Sequence, residues 1–410
     1  LKLLVYEHAS GGGFAEKPFQ QGVLTEGFAM LRALVSDFKA AGHQVTTLLD
    51  SRVAKLNPPI GADCVVPVSS SQEANEALLR AAASVNAAYV IAPETDGALQ
   101  LLVESLEQTG VTLLNCPARA VGSVADKAAL HKHLRKLGVP TPETMVFSVV
   151  DDVAEVKRAV GGNMGFPVVF KPLDGISCQG LSVVRDQREV AGAVGKLRRD
   201  SACKRFVAQK LVDGVAASVC LISTGSEALP ISLNKQDVTL DAPDKVSSYD
   251  GGLVPFDSPL RGEAFAAAEK VVGSFRDLRG FVGVDLVLTE DEPVVVEVNP
   301  RLTMSCVGLR KVVNCNLAQA IVDAVLLHKL PRDVQTCGYA YFSKMETCSP
   351  TIGAFQEACK MSEVVSPPFP VAGDGATCAI VLSHGDTLEE AMTRFSQAKK
   401  RFLTTMHGGR

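Results

Sequence analysis

Two valine-rich runs, GFVGVDLVL (280–288) and PVVVEVNPR (293–301), are separated only by TEDE. Short apolar runs on either side of a polar turn predict a β-hairpin. If Leu288 pairs with Val294, Asp285 stands opposite Glu297. Glu297 and Asn299 are two apart on one strand, so their side chains share a face. Asp285, Glu297 and Asn299 can therefore converge on one point from otherwise apolar strands. Carboxylates among apolar residues are costly unless something compensates them. Three oxygen-bearing side chains at one point suit Mg²⁺, with phosphate oxygens completing its shell. A blander reading also fits: an edge strand with a wet polar face, or an ion pair with Arg301.

The first third alternates strand and helix. Lys2–Tyr6, Val45–Leu49, Ala87–Ala92 and Val111–Asn115 read as strands. Leu31, Leu34, Val35 and Phe38 form a helical stripe that ends at Gly42, and a second helix follows from about Ala98 to Glu107. The pattern predicts a doubly wound α/β domain over about residues 1–120, with ligands beyond the carboxyl ends of its strands. HASGGG (His8–Gly13) and PETDG (Pro93–Gly97) lie at such ends, and Glu94 and Asp96 are candidate substrate residues. A flexible loop and an ordinary turn explain the two segments equally well.

The second part opens with SVADKAALHKHLRKLGVPTP (Ser123–Pro142), where Ser123 reads as the helix N-cap and Gly138 as the stop. Lys127 falls in the first helical turn, where the dipole disfavours a cation unless an anion is near; an ordinary exposed lysine is the simpler reading. FPVVFKPLDGISCQG carries Lys171 at the end of an apolar strand, followed by the glycine-bearing loop Asp174–Gly180. Phosphate would partner that lysine and those backbone N–H groups, although a snorkelling surface lysine would also fit. The loop is not a P-loop. Further strands are expected near Glu143–Phe147, Phe206–Val212 and Ala216–Ile222, and helices near Asp152–Val160 and Gly262–Phe275. Residues 331–410 read as a small α+β segment, with strand Thr377–Leu382 and helix Thr387–Arg401.

Composition narrows the partners. A net charge of −4 over 410 residues argues against a nucleic-acid binder. No apolar run approaches the roughly 20 residues of a membrane span. The start, LKLLVYEHASGGG, lacks the basic lead and cleavage site of a secretory signal. The chain is therefore expected in the cytoplasm, with no membrane partner. Its 11 cysteines show no C-x-x-C pair and read as reduced, buried thiols. Seven scattered histidines offer no zinc pair.

Taken in order, these blocks resemble the ATP-grasp superfamily of carboxylate–amine ligases. The carriers are DKAALHKHLRKLGVPTP, FPVVFKP with its glycine loop, FVAQKLV, and VDLVL…VEVNPR, from about Ser123 to Leu330. The resemblance implies an ATP-grasp α/β architecture: a doubly wound pre-grasp domain (1–120), two α+β grasp subdomains (121–330, the lid at about 148–205) and the C-terminal α+β segment (331–410). It implies that Lys127 and Lys171 hold ATP phosphates, and that the loop with Gly175, Ser177 and Gly180 closes over them. It implies an adenine hinge at Gln209, Lys210 and Leu211, one or two Mg²⁺ (or Mn²⁺) on Asp285, Glu297 and Asn299, and acyl-phosphate stabilisation by Arg301, with Lys171 as its catalytic companion. Many members carry an acid shortly after the hinge for the ribose. Here DGVAAS offers only Asp213 and Ser218.

Within the superfamily, YEHASGGG, LTEGFAMLRALVSDF, IAPETDG, ISLNKQ and YDGGLVP look closest to the tyramine–glutamate ligase group. That resemblance implies an amide formed between the glutamate side-chain carboxylate and a primary amine, within one-carbon cofactor biosynthesis. Asn234, Gln236, Tyr249 and Gly251 are then candidate substrate contacts, although YDGGLVP also reads as a plain turn. The resemblance implies small-molecule acid and amine partners and a possible homodimer. A bicarbonate-activating enzyme of the biotin-carboxylase or carboxyaminoimidazole type is an alternative, as is a non-catalytic nucleotide-binding regulator.

Overall fold

A computed structural model describes residues 1–173, 178–371 and 376–407. The N-terminal sheet contains Lys2–Glu7 (β1), Gln44–Asp50 (β2), Cys64–Val68 (β3), Ala87–Ile91 (β4) and Thr112–Leu113 (β5), all parallel, in the order β3-β2-β1-β4-β5. β4 is buried throughout, and β1 is buried after Lys2, because helices cover both faces. The direction of strand order reverses between β1 and β4. Their carboxyl ends, Glu7 and Ile91, are register partners, so a crevice opens where such sheets bind ligands.

A four-stranded antiparallel sheet follows, formed by Thr144–Ser148 (β6), Val168–Pro172 (β7), Ser182–Val184 (β8) and Arg205–Lys210 (β9) in the order β6-β9-β7-β8. Helices Val153–Asn163 and Val190–Asp200 pack on one face, with Val160, Phe170, Leu197 and Phe206 in a separate small core.

The largest sheet has eight strands: Val215–Thr224 (β10), Ala228–Thr239 (β11), Ser248–Val254 (β12), Arg279–Leu288 (β13), Pro293–Asn299 (β14), Tyr339–Cys348 (β15), Val364–Ser366 (β16) and Ala376–Gly385 (β17), in the order β14-β13-β10-β11-β12-β15-β17-β16. The last three strands come from the C-terminal stretch. The final helix, Leu388–His407, covers them with Phe395 and Phe402.

Local readings differ from the structure in four places. The N-cap is Asp126, whose carboxylate accepts from the N–H groups of Ala128 and Ala129; Ser123 lies inside the preceding helix Ala118–Ala125 and bonds Ala120 O. YDGGLVP is not a turn but most of β12. Gly251 is glycine there because a Cβ would lie 2.1 Å from Phe342 O on β15, at φ +151°. In the hairpin, Leu288 pairs with Pro293 rather than Val294. Of the cysteines, four are buried and three are exposed, and all are free.

Candidate active site

A cavity of about 330 Å³ opens where the three sheets meet. Asp285, Glu297 and Asn299 all line it. Asp285 is paired with Glu297, and Gly283 with Asn299, despite the one-residue offset at the turn. A β-bulge after Asp285 reconciles the two registers. The extra residue puts both Val296 and Glu297 on the cavity wall, while Val295 and Val298 stay in the core.

Asn299 Nδ2 donates to Asp285 Oδ2 at 2.9 Å, and Gln236 Nε2 donates to Asp285 Oδ1 at 3.0 Å. Burial, reinforced by neighbouring Glu297, pushes the Asp285 carboxyl up to about 6. Glu297 goes the other way. Burial opposes its charge, but Lys127, 3.0 Å away, and Lys171 outweigh that and hold it below its ordinary value. Lys171 at the end of β7 is buried, which brings its ammonium down to about 8 against the pull of Glu297. Two lysines and two carboxylates thus share one wall, and burial and their mutual charges shift Lys171, Asp285 and Glu297.

The apolar part of the lining includes Pro142, Val169, Leu211, Val212, Ala216 and Leu286. Gln209 also lines the cavity and is bonded to His131 and, at 2.9 Å, to Thr144 Oγ1. Lys210 Nζ reaches Met164 O at 3.2 Å, and its backbone N–H donates to Glu143 O at 2.9 Å. Leu211 N donates to Pro167 O at 3.3 Å.

At the other end, Arg301 makes a two-pronged pair with Glu94, at 2.9 and 2.7 Å. Pro93, Met30, Gly27, Glu7 and Glu26 continue the wall. Glu26 pairs with Lys344 on β15 at 2.6 Å, so the C-terminal stretch reaches the site. Glu7 accepts from Ala9 N at 2.8 Å and from Ser10 N and Oγ at 2.6 Å, and burial pushes it up to about 7. Burial, with Glu26 and Asp285 nearby, raises the Tyr249 phenol.

Most of the expected residues therefore meet: Lys127, Lys171, Gln209, Lys210, Leu211, Gln236, Tyr249, Asp285, Glu297, Asn299 and Arg301 line one cavity. Glu94 reaches it through Arg301. Asp213 is exposed and lies off the lining, and Asp96 is exposed at φ +53° in a short turn. Ser218 and Asn234 are buried behind the wall, where Asn234 Nδ2 donates to Ser218 O at 3.2 Å. Gly251 packs against β15. Gly180, at φ +70°, precedes the lining residue Leu181, while Gly175 and Ser177 lie outside the described residues. Sequence reasoning missed Glu7, Glu26, Lys344, Cys178 and His131. Glu7 alone carried a signal, as an acid directly after the apolar run Leu3–Tyr6.

A crevice-bearing parallel domain, a small lid-like sheet and a large antiparallel sheet around one polar-walled cavity define the ATP-grasp fold. Residues 124–305 match the ATP-grasp domain, and residues 43–121 match the pre ATP-grasp 3 domain. The chain is 27% identical over 329 residues to a tyramine–L-glutamate ligase of Methanocaldococcus jannaschii, covering 78% of this chain and 88% of that one. Its structure is similar to the biotin carboxylase of Campylobacter jejuni (TM-score 0.71, 14% identity, 97% and 90% of the two chains). It is also similar to the L-amino acid ligase of Bacillus licheniformis (TM-score 0.68, 15% identity, 97% of each). The chain belongs to the ATP-grasp carboxylate–amine ligases, ATP-dependent enzymes that form C–N bonds. Among the described residues no helix is long and apolar enough to cross a membrane.

Proposed function

We propose that this enzyme activates a substrate carboxylate with ATP and passes the acyl group to a primary amine. L-Glutamate and tyramine are the favoured pair, since the name of the M. jannaschii relative carries them, with the glutamate side-chain carboxylate taken as the acid. The observation that carries the reading is the convergence of Lys127, Lys171, Asp285, Glu297 and Asn299 on one cavity wall, with Arg301 beyond them.

The carboxylate attacks the γ-phosphorus, and the bond to the β-phosphate oxygen breaks to leave ADP and an acyl phosphate. The amine then attacks the acyl carbon, phosphate departs, and the amine's proton is lost. Such transfers depend on positioning and charge neutralisation rather than on a protein nucleophile. Lys127 and Lys171 face the phosphates. Arg301, held flat by Glu94, faces the reacting carboxylate and its phosphoryl group. The apolar slot beside Gln209 takes the base. The proposed lid at about 148–205, which takes in β7, β8 and their two helices, closes and excludes water that would hydrolyse the acyl phosphate. We take 1–120, 121–330 and 331–410 as the pre-grasp domain, the grasp domain and the C-terminal segment.

The donor set fits a divalent cation. Two carboxylates face each other across β13 and β14, with an amide side chain beside them, and burial, with Glu297 alongside, pushes Asp285 toward neutrality. Asp285, Glu297 and Asn299 would hold Mg²⁺ or Mn²⁺, which when bound supplies charge neutralisation on the phosphate oxygens. The test is ADP release measured over a matrix of acids and amines, with glutamate plus tyramine first and bicarbonate as a separate arm. Release that depends on one acid and one amine, with the amide found by mass spectrometry, supports the reading. Release driven by bicarbonate alone overturns it.

A further inference from the structure

Residues 240–247 join β11 to β12 and lie along the edge of the small four-stranded sheet. β8 is the outer strand there. Its Val183 N–H donates to Asp241 O at 2.8 Å, which covers part of an edge otherwise open to pairing. Ser247, 3% exposed, accepts from Asp241 N at 3.0 Å and donates to Leu181 O, just before β8, at 3.3 Å. Lys196, on the helix Val190–Asp200, completes the contact. Its Nζ donates to Leu181 O at 3.0 Å and to Lys245 O at 2.6 Å.

Lys196 is 5% exposed, and among the described residues it makes no ion pair. A buried cation held only by carbonyls is a costly way to fill space, because an apolar side chain would pack there with no charge to desolvate. What the lysine adds is a link between two parts of the fold. Leu181 belongs to the proposed lid, and Lys245 belongs to the connection. That connection runs directly into the cavity wall. Gln236, Val238 and Leu240 alternate along the chain and line the cavity, as does Tyr249, the register partner of Val238. Gln236 in turn holds Asp285 through its 3.0 Å hydrogen bond. Lys196 itself is not on the lining.

We infer that Lys196 is a positioning residue that clasps the proposed lid to residues 240–247, so that a nucleotide held beneath the lid also fixes Gln236 and Tyr249 for the acid substrate. The inference rests on the nucleotide and lid reading of this cavity. With the lid in place, Leu181 O and Lys196 Nζ anchor the connection from one side. With the lid displaced they leave together, and Lys245 O and Ser247 Oγ lose their partners. The ends of β11 and β12 that carry Val238, Leu240 and Tyr249 are then tethered only to each other. Nucleotide binding and acid binding are thereby coupled, and the coupling is reciprocal: the acid tightens the nucleotide by the factor with which the nucleotide tightens the acid. Lys196 meets neither ligand and acts through two backbone carbonyls.

The test is hydrogen exchange read by mass spectrometry on the full chain, with and without Mg²⁺ and a non-hydrolysable ATP analogue. In the wild type the analogue should slow exchange at the lid edge, 181–184, and across 236–250 alike, by about 10-fold, within the usual range of coupling between sites. Lys196→Met keeps the length but removes the donors. Protection should persist at the lid edge and vanish over 236–250. The KM for the acid should rise by about the same 10-fold, with a smaller change in the KM for ATP. Lys196→Arg, which restores a charged donor, should recover both readouts. Ser247→Ala removes a weaker arm of the same clasp, so it should narrow the protection of 236–250, and it serves if Lys196→Met does not fold. Undiminished protection of 236–250 in Lys196→Met, or none there in the wild type beside a protected lid edge, would overturn the inference while leaving nucleotide binding intact. An analogue that protects no segment of the cavity would instead overturn the nucleotide reading itself.

Discussion

Arg301 and Glu94, 207 residues apart in the chain, meet as a two-pronged ion pair with side chains only 14% and 6% exposed. Glu94 follows β4 of the pre-grasp sheet, and Arg301 follows β14 of the large sheet, so the pair also ties two layers together. Glu94→Gln leaves a buried guanidinium short of its partner, and breaking such a pair costs about 3–5 kcal/mol. The melting temperature should fall. kcat should fall by about 10-fold or more with little change in the KM for ATP, because Arg301 addresses the carboxylate end. Arg301→Lys keeps the charge but loses the fork, and should lower kcat without the stability loss of Glu94→Gln. A Glu94→Gln enzyme with wild-type kcat and melting temperature would show that the pair has neither role.

The charged wall should split by function. Glu297→Gln removes a carboxylate facing both Asp285 and Lys127. It should reduce kcat/KM by about 100-fold or more, the usual cost of losing a group aimed at transition-state charge. The Mn²⁺ concentration for half-maximal ADP release should rise with it. Asn299→Ala should give the same direction with a smaller shift, because it removes no charge but frees Asp285 Oδ2 from its amide donor. A metal dependence unmoved by either change would remove the hairpin from metal binding.

That hairpin is the most legible part of the chain, for a physical reason. Strand side chains alternate, so the spacing of acids inside apolar runs is enough to declare a shared face. The bulge is not legible, since an extra residue on one strand changes neither composition nor alternation at its ends. A straight count from the turn gives the right partner for Asp285 and the wrong one for Leu288. Strands β11 and β12 escape because both are half-buried over long stretches and carry polar residues on both faces. Glu26 and Lys344 belong to one site only because topology folds the C-terminal sheet strands back over helix Gln21–Ala40, and nothing local to either residue says so. Sequence places the helix cap three residues early because Ser123 and Asp126 are both good caps. The fold favours the one whose carboxylate takes two N–H groups.

Lys171 should impose an upper pH limit on nucleotide binding. Its ammonium titrates near 8, below the ordinary 10.5. Below pH 8 it is charged and attracts phosphate; as pH rises through 8 that attraction is lost. The KM for ATP should rise above about pH 8. Lys171→Arg, which stays charged, should show a flat KM from pH 7 to 9.5, whatever its absolute value. Parallel KM profiles for the two enzymes would assign the limb to another group.

Glu7 should leave a mark on stability without ligand. Its carboxyl titrates near 7 in the fold against an ordinary 4.5, because burial opposes its charge. The sign follows from which state holds the proton. Below about pH 4.5 the folded and unfolded chains both carry it, and the group has no pH effect. Between 4.5 and 7 the unfolded chain ionises first, so unfolding is increasingly favoured. Above 7 both are ionised and the penalty is constant. Stability should fall across that window by up to about 3 kcal/mol, at about 1.4 kcal/mol per pH unit of separation. Glu7→Gln should flatten this part of the curve, offset by a constant loss where its NH₂ group faces donors of Ala9 or Ser10. Gly27→Ala is a second probe, since its Cβ would lie 2.3 Å from Glu7 Oε1 and force the carboxylate to move. Urea unfolding at pH 4.5, 5.5, 6.5 and 7.5 measures all three proteins. If wild type and Glu7→Gln run parallel, Glu7 is ionised in the folded chain at acid pH, and a cation reaches it that the described residues do not include.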